Sequence, residues 1–292
     1  MARTSASDKN SYTSVCLKAA EDETVFANFR RNRAYRLILG NDPYGIGKEH
    51  LNVILSQNPE LIEIFPKFRE SDQFGNPLVG DYGKYGKFSP TTLRYIKTLG
   101  DLKSLFGSLD GKNIIEIGGG YGGQCKIISD LFSFKSYTIV DLNPVLKLTR
   151  KYLDCFNVKN VHCLAPENLG TNENYDLVIS NYAFTELTRE TQQSYIEQIL
   201  LRSTQGYIAM NDFFYSLLFS RQYSREELLK TIKNSLLINE VPLTFPKNST
   251  LIWNQLQKAD TSGLYKRQYS HLLTFFKLIL DAAHSNLFRK LK

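Results

Sequence analysis

A β-branched run, Asn113–Ile117 (NIIEI), leads straight into Gly118-Gly-Gly-Tyr-Gly-Gly123. Five glycines in six positions leave the backbone bare and free to take left-handed dihedrals. A strand can therefore turn at once into a helix, and the periodic segment Gly123–Leu131 follows directly. More such steps come after it. Tyr137–Val140, Asn160–Leu164, Tyr175–Ser180 and Gly206–Met210 read as strands, with helical spacing at Pro144–Phe156 and Thr188–Leu201. Strands alternating with helices of this length predict a doubly wound α/β core with a parallel sheet. In such sheets the ligand site lies beyond the carboxyl ends of the strands. Val241–Trp253 holds two further candidate strands.

The loop fits two cofactor chemistries. Gly118, Gly120 and Gly123 satisfy G-x-G-x-x-G, the dinucleotide pattern. Glu116, Gly118, Gly120 and Gly122 satisfy E/D-x-G-x-G-x-G, which resembles S-adenosylmethionine-dependent methyltransferases. A pyrophosphate at a helix N-terminus gains from positive potential, which a carboxylate two residues earlier opposes. An ammonium or a sulfonium is attracted by that carboxylate, so Glu116 favours S-adenosyl-L-methionine over NAD. Gly118, Gly119, Gly120, Tyr121 and Gly122 are then expected to line the cofactor. Asp141 ends the second strand, where a carboxylate accepts ribose hydroxyls, and Leu142 follows it. Glu167 and Asn168, after the third strand, are expected near adenine. Ser180-Asn-Tyr-Ala-Phe-Thr-Glu186 ends the fourth strand. There Asn181 is expected to orient groups beside the cofactor, and a helix starting at Tyr182 would put Tyr182 and Glu186 on one face. With Asp212, after the fifth strand, Glu186 and Tyr182 are the candidate catalytic groups. None is singled out as the base.

Several segments together resemble the sugar O-methyltransferase family of bacteria. They are Ser89-Pro-Thr-Thr-Leu-Arg-Tyr95, Ile115–Lys126, Tyr137–Leu142 and Ser180–Leu187, within a resemblance running from about Tyr82 to Asp212. It implies a Rossmann-like methyltransferase core, S-adenosyl-L-methionine as donor and a sugar hydroxyl, free or in a glycoconjugate, as acceptor. Against it stand an NAD-dependent oxidoreductase and a non-catalytic binding protein on the same fold. Transfer to a hydroxyl calls for positioning and a general base. Arg94, Tyr95, Tyr82 and Tyr85 are expected to form a sugar-facing lid.

The flanks carry different signals. Residues 1–110 read as a mostly helical extension capping the substrate side, 111–255 as the core, and 256–292 as a basic amphipathic helix. Thr24–Leu39 has a helical apolar pattern, and Asp72–Pro90, rich in Gly, Pro and Tyr, reads as a structured loop. Ser89-Pro90 has the form of an N-cap followed by a first helical residue. Near the end, Tyr269, Leu272, Leu273, Phe276, Ile279, Leu280 and Ala283 keep i, i+3, i+4, i+7 spacing. The formal charge is +7, and Leu264–Lys292 carries six basic residues against one acid. This clustering argues against a nucleic-acid partner and for a C-terminal helix that dimerises or touches an anionic membrane surface. Four cysteines without a C-x-x-C pair, and four scattered histidines, predict free thiols and no metal site. The absence of an apolar leader or an 18-residue apolar run leads to the expectation of a cytoplasmic protein, free or peripheral to the inner face of the membrane.

Overall fold

The computed structural model describes residues 10–40, 42–170, 173–211, 222–245 and 248–255. Its main helices and strands alternate as the pattern requires. Helices α1 (Asn10–Glu21), α2 (Tyr44–Gln57) and α3 (Pro90–Phe106) precede strand β1 (Asn113–Ile117). There follow α4 (Gly123–Ser129), β2 (Ser136–Val140), α5 (Asn143–Asp154), β3 (Val161–Leu164) and β4 (Tyr175–Asn181). Then come α6 (Arg189–Gln198), β5 (Ser203–Met210), α7 (Arg225–Thr231), β6 (Ser235–Asn239) and β7 (Ser249–Trp253).

The sheet has seven strands in the order β3-β2-β1-β4-β5-β7-β6. Strands β1 to β5 are mutually parallel, and β7 runs antiparallel between β5 and β6. Chain order reverses between β1 and β4, the switch point at which a doubly wound sheet opens a crevice for ligand. This is a doubly wound, Rossmann-like α/β fold, with helices on both sides of the sheet.

Period-two alternation sorts the strand residues by face. Ile115, Ile117, Val178, Ile208 and Leu251 join one apolar cluster with Tyr195 and Ile196 of α6 and Leu228 of α7. On the opposite face Tyr207 of β5 donates to Asp101 of α3 at 2.6 Å, and Glu116 accepts from Tyr137 of β2 at 2.9 Å. One strand position demands glycine for packing. Gly206 pairs with Trp253 across β5 and β7, and a Cβ there would overlap the indole. Gly206→Val is expected to cost about 2–3 kcal/mol by overpacking. Urea unfolding followed by the emission of Trp253, the single tryptophan, checks this.

Ser89 caps α3 as the sequence predicts: its hydroxyl accepts from Thr92 N at 3.2 Å, with Pro90 in the first turn. Thr24–Leu39 departs from the single helix that its spacing predicts. It breaks into Glu23–Phe26, a 3-10 turn at Phe29–Arg31, and Arg33–Arg36. Asn32 restarts the helix by accepting from Ala34 N at 2.9 Å. Arg30 is drawn into the interior, where it pairs with Asp72 at 3.0 Å and donates to Ser89 Oγ at 2.9 Å. That network ties the N-terminal region to the start of α3. The loop Asp72–Pro90 contains a small hairpin, Gly80–Asp81 with Lys87–Phe88. Of the two strands expected in Val241–Trp253, only β7 lies there, because β6 forms earlier at Ser235–Asn239.

The four cysteines are unpaired thiols. Among the described residues no helix is long and apolar enough to cross a membrane. Asp212 and the basic segment 256–292 lie outside the described residues.

Candidate functional site

The glycine loop bends over the carboxyl ends of β1 and β4. Gly118 and Gly120 have φ of +72° and +55°, which an L side chain rarely adopts. A Cβ on Gly118 would run into Ala183 after β4, and one on Gly119 would lie 2.7 Å from Ile139 Cγ2 and 3.1 Å from Glu116 Oε2. Gly122 stands at the N-cap of α4. The loop is thus a bare-backbone cradle between two strand ends. Tyr121 is the exception. Its ring is buried against Tyr152 at 4.7 Å and under the Arg30 guanidinium at 4.8 Å. Contrary to the sequence expectation, its side chain joins the core and does not line the cradle, because the turn sends it toward α5 and the N-terminal region.

Two carboxylates flank the cradle. Glu116, 2% exposed, accepts from Tyr137 Oη at 2.9 Å, and the Asn181 amide also bonds to it. Burial raises its pKa to about 7 against the Tyr137 hydrogen bond, and the charge of Asp141 adds to the rise. Asp141 is half-buried. Its Oδ2 accepts from Gly120 N at 2.9 Å and its Oδ1 from Leu142 N at 2.7 Å. Desolvation carries its pKa to about 6 despite those two bonds. Each oxygen keeps a further lone pair, so the carboxylate can hold the loop and accept two hydroxyls together.

The other expected cofactor residues fall around these. Asn181 donates to Gln124 Oε1 at 3.4 Å, which fixes its amide between α4 and Glu116. Leu142 is half-buried at the start of α5. Glu167 and Asn168 form an exposed 3-10 turn, and Glu167 Oε1 accepts from Asn143 Nδ2 at 2.9 Å. The β2 and β3 ends are joined there.

The acceptor side differs from expectation. Tyr182 is no helix start: its φ is +70°, a left-handed conformation that costs a bulky residue about 1–3 kcal/mol. It therefore shares no helix face with Glu186, which closes the following 3-10 turn Ala183–Glu186. The strained backbone is held by Tyr182 N donating to Ala209 O at 3.1 Å, and by the side chain. Tyr182 Oη donates to Glu240 Oε1. Burial, with the Glu240 charge next, pushes the phenol well above its ordinary pKa. Glu240 Oε2 accepts from Thr244 N at 2.9 Å, Thr244 Oγ1 at 2.6 Å and Asn248 Nδ2 at 3.1 Å. The Arg94 guanidinium lies 5.6 Å over the Tyr182 ring and pairs with Asp42 at 3.5 Å.

Sequence reading missed Glu240, Thr244, Asn248 and Asp42. The one available signal was an acid following the apolar end of a strand, Ile238-Asn-Glu240. Only the antiparallel return of β7 beside β5 brings Glu240 to Tyr182. The expected lid also divides. Arg94 stays at the site, and Tyr82 stacks on Tyr44 at 5.0 Å near Asp42. Tyr95 is buried, and Tyr85 packs on Phe65 at 6.3 Å.

No family model matches the sequence. The chain is 33% identical over 151 residues to the malonyl-[acyl-carrier protein] O-methyltransferase of Bacillus cereus. That match covers 48% of this chain and 52% of the relative, so the chain spans about half the length of the curated relative it matches. An rRNA methylase from Streptococcus thermophilus superposes with a TM-score of 0.42 at 18% identity, over 56% of this chain and 98% of that one. An S-adenosylmethionine-dependent methyltransferase from Clostridium acetobutylicum gives 0.41 at 13% identity, over 55% and 89%. The fold assignment rests on the strand order itself.

Proposed function

We propose that this protein is an S-adenosyl-L-methionine-dependent methyltransferase that methylates a hydroxyl of a sugar or sugar-containing glycoconjugate. The observation that carries the donor is the pair of raised carboxyls, Glu116 and Asp141, on either side of a glycine cradle. The residues present fit this donor: Glu116 meets positive charge, Asp141 holds ribose hydroxyls, and the glycines leave the loop backbone between them free of side chains of its own. Bound, the donor supplies a methyl group activated by its positively charged sulfur. The 33% identity to an O-methyltransferase supports oxygen as the acceptor atom.

The protein's remaining task is to place an oxygen and take its proton. Because Tyr182 commits its own proton to Glu240, its Oη keeps lone pairs for an incoming hydroxyl. The hydroxyl proton is received at Tyr182 Oη while the phenol proton moves to Glu240, leaving no phenolate. A carboxylate acceptor needs no base, so this pair favours a hydroxyl. Arg94 and the Tyr44–Tyr82 stack give the same side a cation and aromatic faces, which suit a polyhydroxylated ring.

The test is transfer of labelled methyl from S-adenosyl-L-methionine to free sugars, nucleotide sugars and a malonyl thioester. An alkali-stable ether on a sugar is the expected product. An alkali-labile ester on the thioester alone would replace the sugar reading.

Donor binding has a pH signature. The folded protein holds protons on Glu116 and Asp141 up to about 7 and 6, against ordinary values of 4.5 and 3.8. Their contribution to stability is therefore fully present below the ordinary values and is lost as pH rises through the folded ones. A cationic donor reverses this by favouring the ionised forms. Affinity is expected to rise between about pH 5 and 7, with proton release on binding. Calorimetry in two buffers of different ionisation enthalpy measures that release.

A further inference from the structure

We infer that the N-terminal segment is the roof of the donor site, with Leu39 as its seal, and that donor exchange requires this segment to lift. The inference rests on the donor reading above and adds residues outside the glycine loop to the site. Three observations converge on it.

The cradle is bare only of its own side chains. A Cβ on Gly120 would lie 2.8 Å from Leu39 Cδ2, so the leucine covers the backbone that the glycines expose. Any ligand laid along Gly120 must pass under Leu39 or displace it. Next, α1 packs along α5, and its buried residues include Tyr12 and Cys16. Both feel the charge of Asp141, which raises their pKa values after the larger effect of burial. Finally, Tyr35 connects the two. Its ring meets Tyr12 at 5.5 Å, and its hydroxyl is buried with no hydrogen-bond partner. A buried phenol without a partner is costly unless a ligand atom completes it.

The segment is built to move as a short unit. The four-residue helix Arg33–Arg36 is pinned at its start by the Asn32 cap. Beyond Leu39, Gly40 takes φ +85°, and Asp42 is anchored by Thr91 at 3.0 Å and by Arg94. Between these anchors Leu37 is 67% exposed, and the last turn is held by Leu37, Ile38 and Leu39 amides donating to Arg33 and Tyr35 carbonyls. Opening lifts this short turn and withdraws the buried Tyr35 ring from Tyr12 and Phe29, a local unfolding of the kind gating elements use.

The probe is S-adenosylhomocysteine with the full chain. Surface plasmon resonance on Leu39→Ala is expected to show dissociation at least tenfold faster than wild type, with faster association. Hydrogen exchange of the wild-type amides at 33–40 is expected to slow at least tenfold when the probe is bound. The second measurement needs no variant, so a misfolded Leu39→Ala protein leaves the inference open to refutation. Tyr35→Phe is expected to weaken binding several-fold. If the probe binds wild type but residues 33–40 gain no protection, or a folded Leu39→Ala protein keeps both rates unchanged, the roof is wrong and the donor reading stands. If the probe does not bind wild type, the donor reading fails and the roof with it.

Discussion

Asp141→Ala is expected to reduce S-adenosylhomocysteine affinity at least a hundredfold, to the limit of calorimetric detection. The magnitude follows from two hydrogen bonds to a charged acceptor at about 1.5–3 kcal/mol each. A second loss adds to it. Gly120 N, which donates to Asp141 at 2.9 Å, loses its partner, so the loop that shapes the cradle is loosened. Asp141→Asn separates the two effects. It keeps an acceptor for one amide and offers a donor where a ribose hydroxyl needs an acceptor, so it is expected to recover stability before affinity. Equal affinity for wild type and Asp141→Ala would remove Asp141 from the site.

Glu240→Ala is expected to destabilise the protein by at least about 4 kcal/mol, from four donors that lose an acceptor at about 1–3 kcal/mol each. Those donors are the Tyr182 hydroxyl, the Thr244 amide and hydroxyl, and the Asn248 amide. The loss also frees Tyr182 from the contact that helps to hold its left-handed backbone. Denaturant unfolding measures the stability. Tyr182→Phe tests the chemistry with less damage to the fold, since Glu240 keeps its other donors. It is expected to slow transfer to a sugar hydroxyl by about 10²–10⁴, the usual worth of a positioned proton acceptor. Donor affinity should hardly change. Transfer at wild-type rate in Tyr182→Phe would move the base elsewhere.

What the sequence made legible follows the range of the interactions. β1 and the glycine loop were readable because a β-branched run ending in glycines is a local signal. The same holds for Ser89 as the cap of α3, since N-capping spans three residues. Glu116 and Asp141 were readable as candidate donor-site carboxylates because one lies next to last in β1 and the other directly follows β2, within one repeat of the alternation. Thr24–Leu39 was misread as one helix because its apolar spacing hid a long-range cause, the pull of Arg30 toward Asp72, 42 residues on. Tyr121 was placed in the site because the motif gives position and not direction. Glu240 was invisible because its partner lies 58 residues earlier and meets it only through the antiparallel return of β7.

The most direct test of the central claim is a titration of the full chain with S-adenosylhomocysteine and with NADH, each alone and in competition. Both ligands would place an adenosine at Asp141, and they differ in what they bring to Glu116. Saturable one-to-one binding of S-adenosylhomocysteine that NADH does not displace is the expected result. Tight binding of NADH, with S-adenosylhomocysteine unable to compete, would contradict the account and restore the oxidoreductase reading of the same loop.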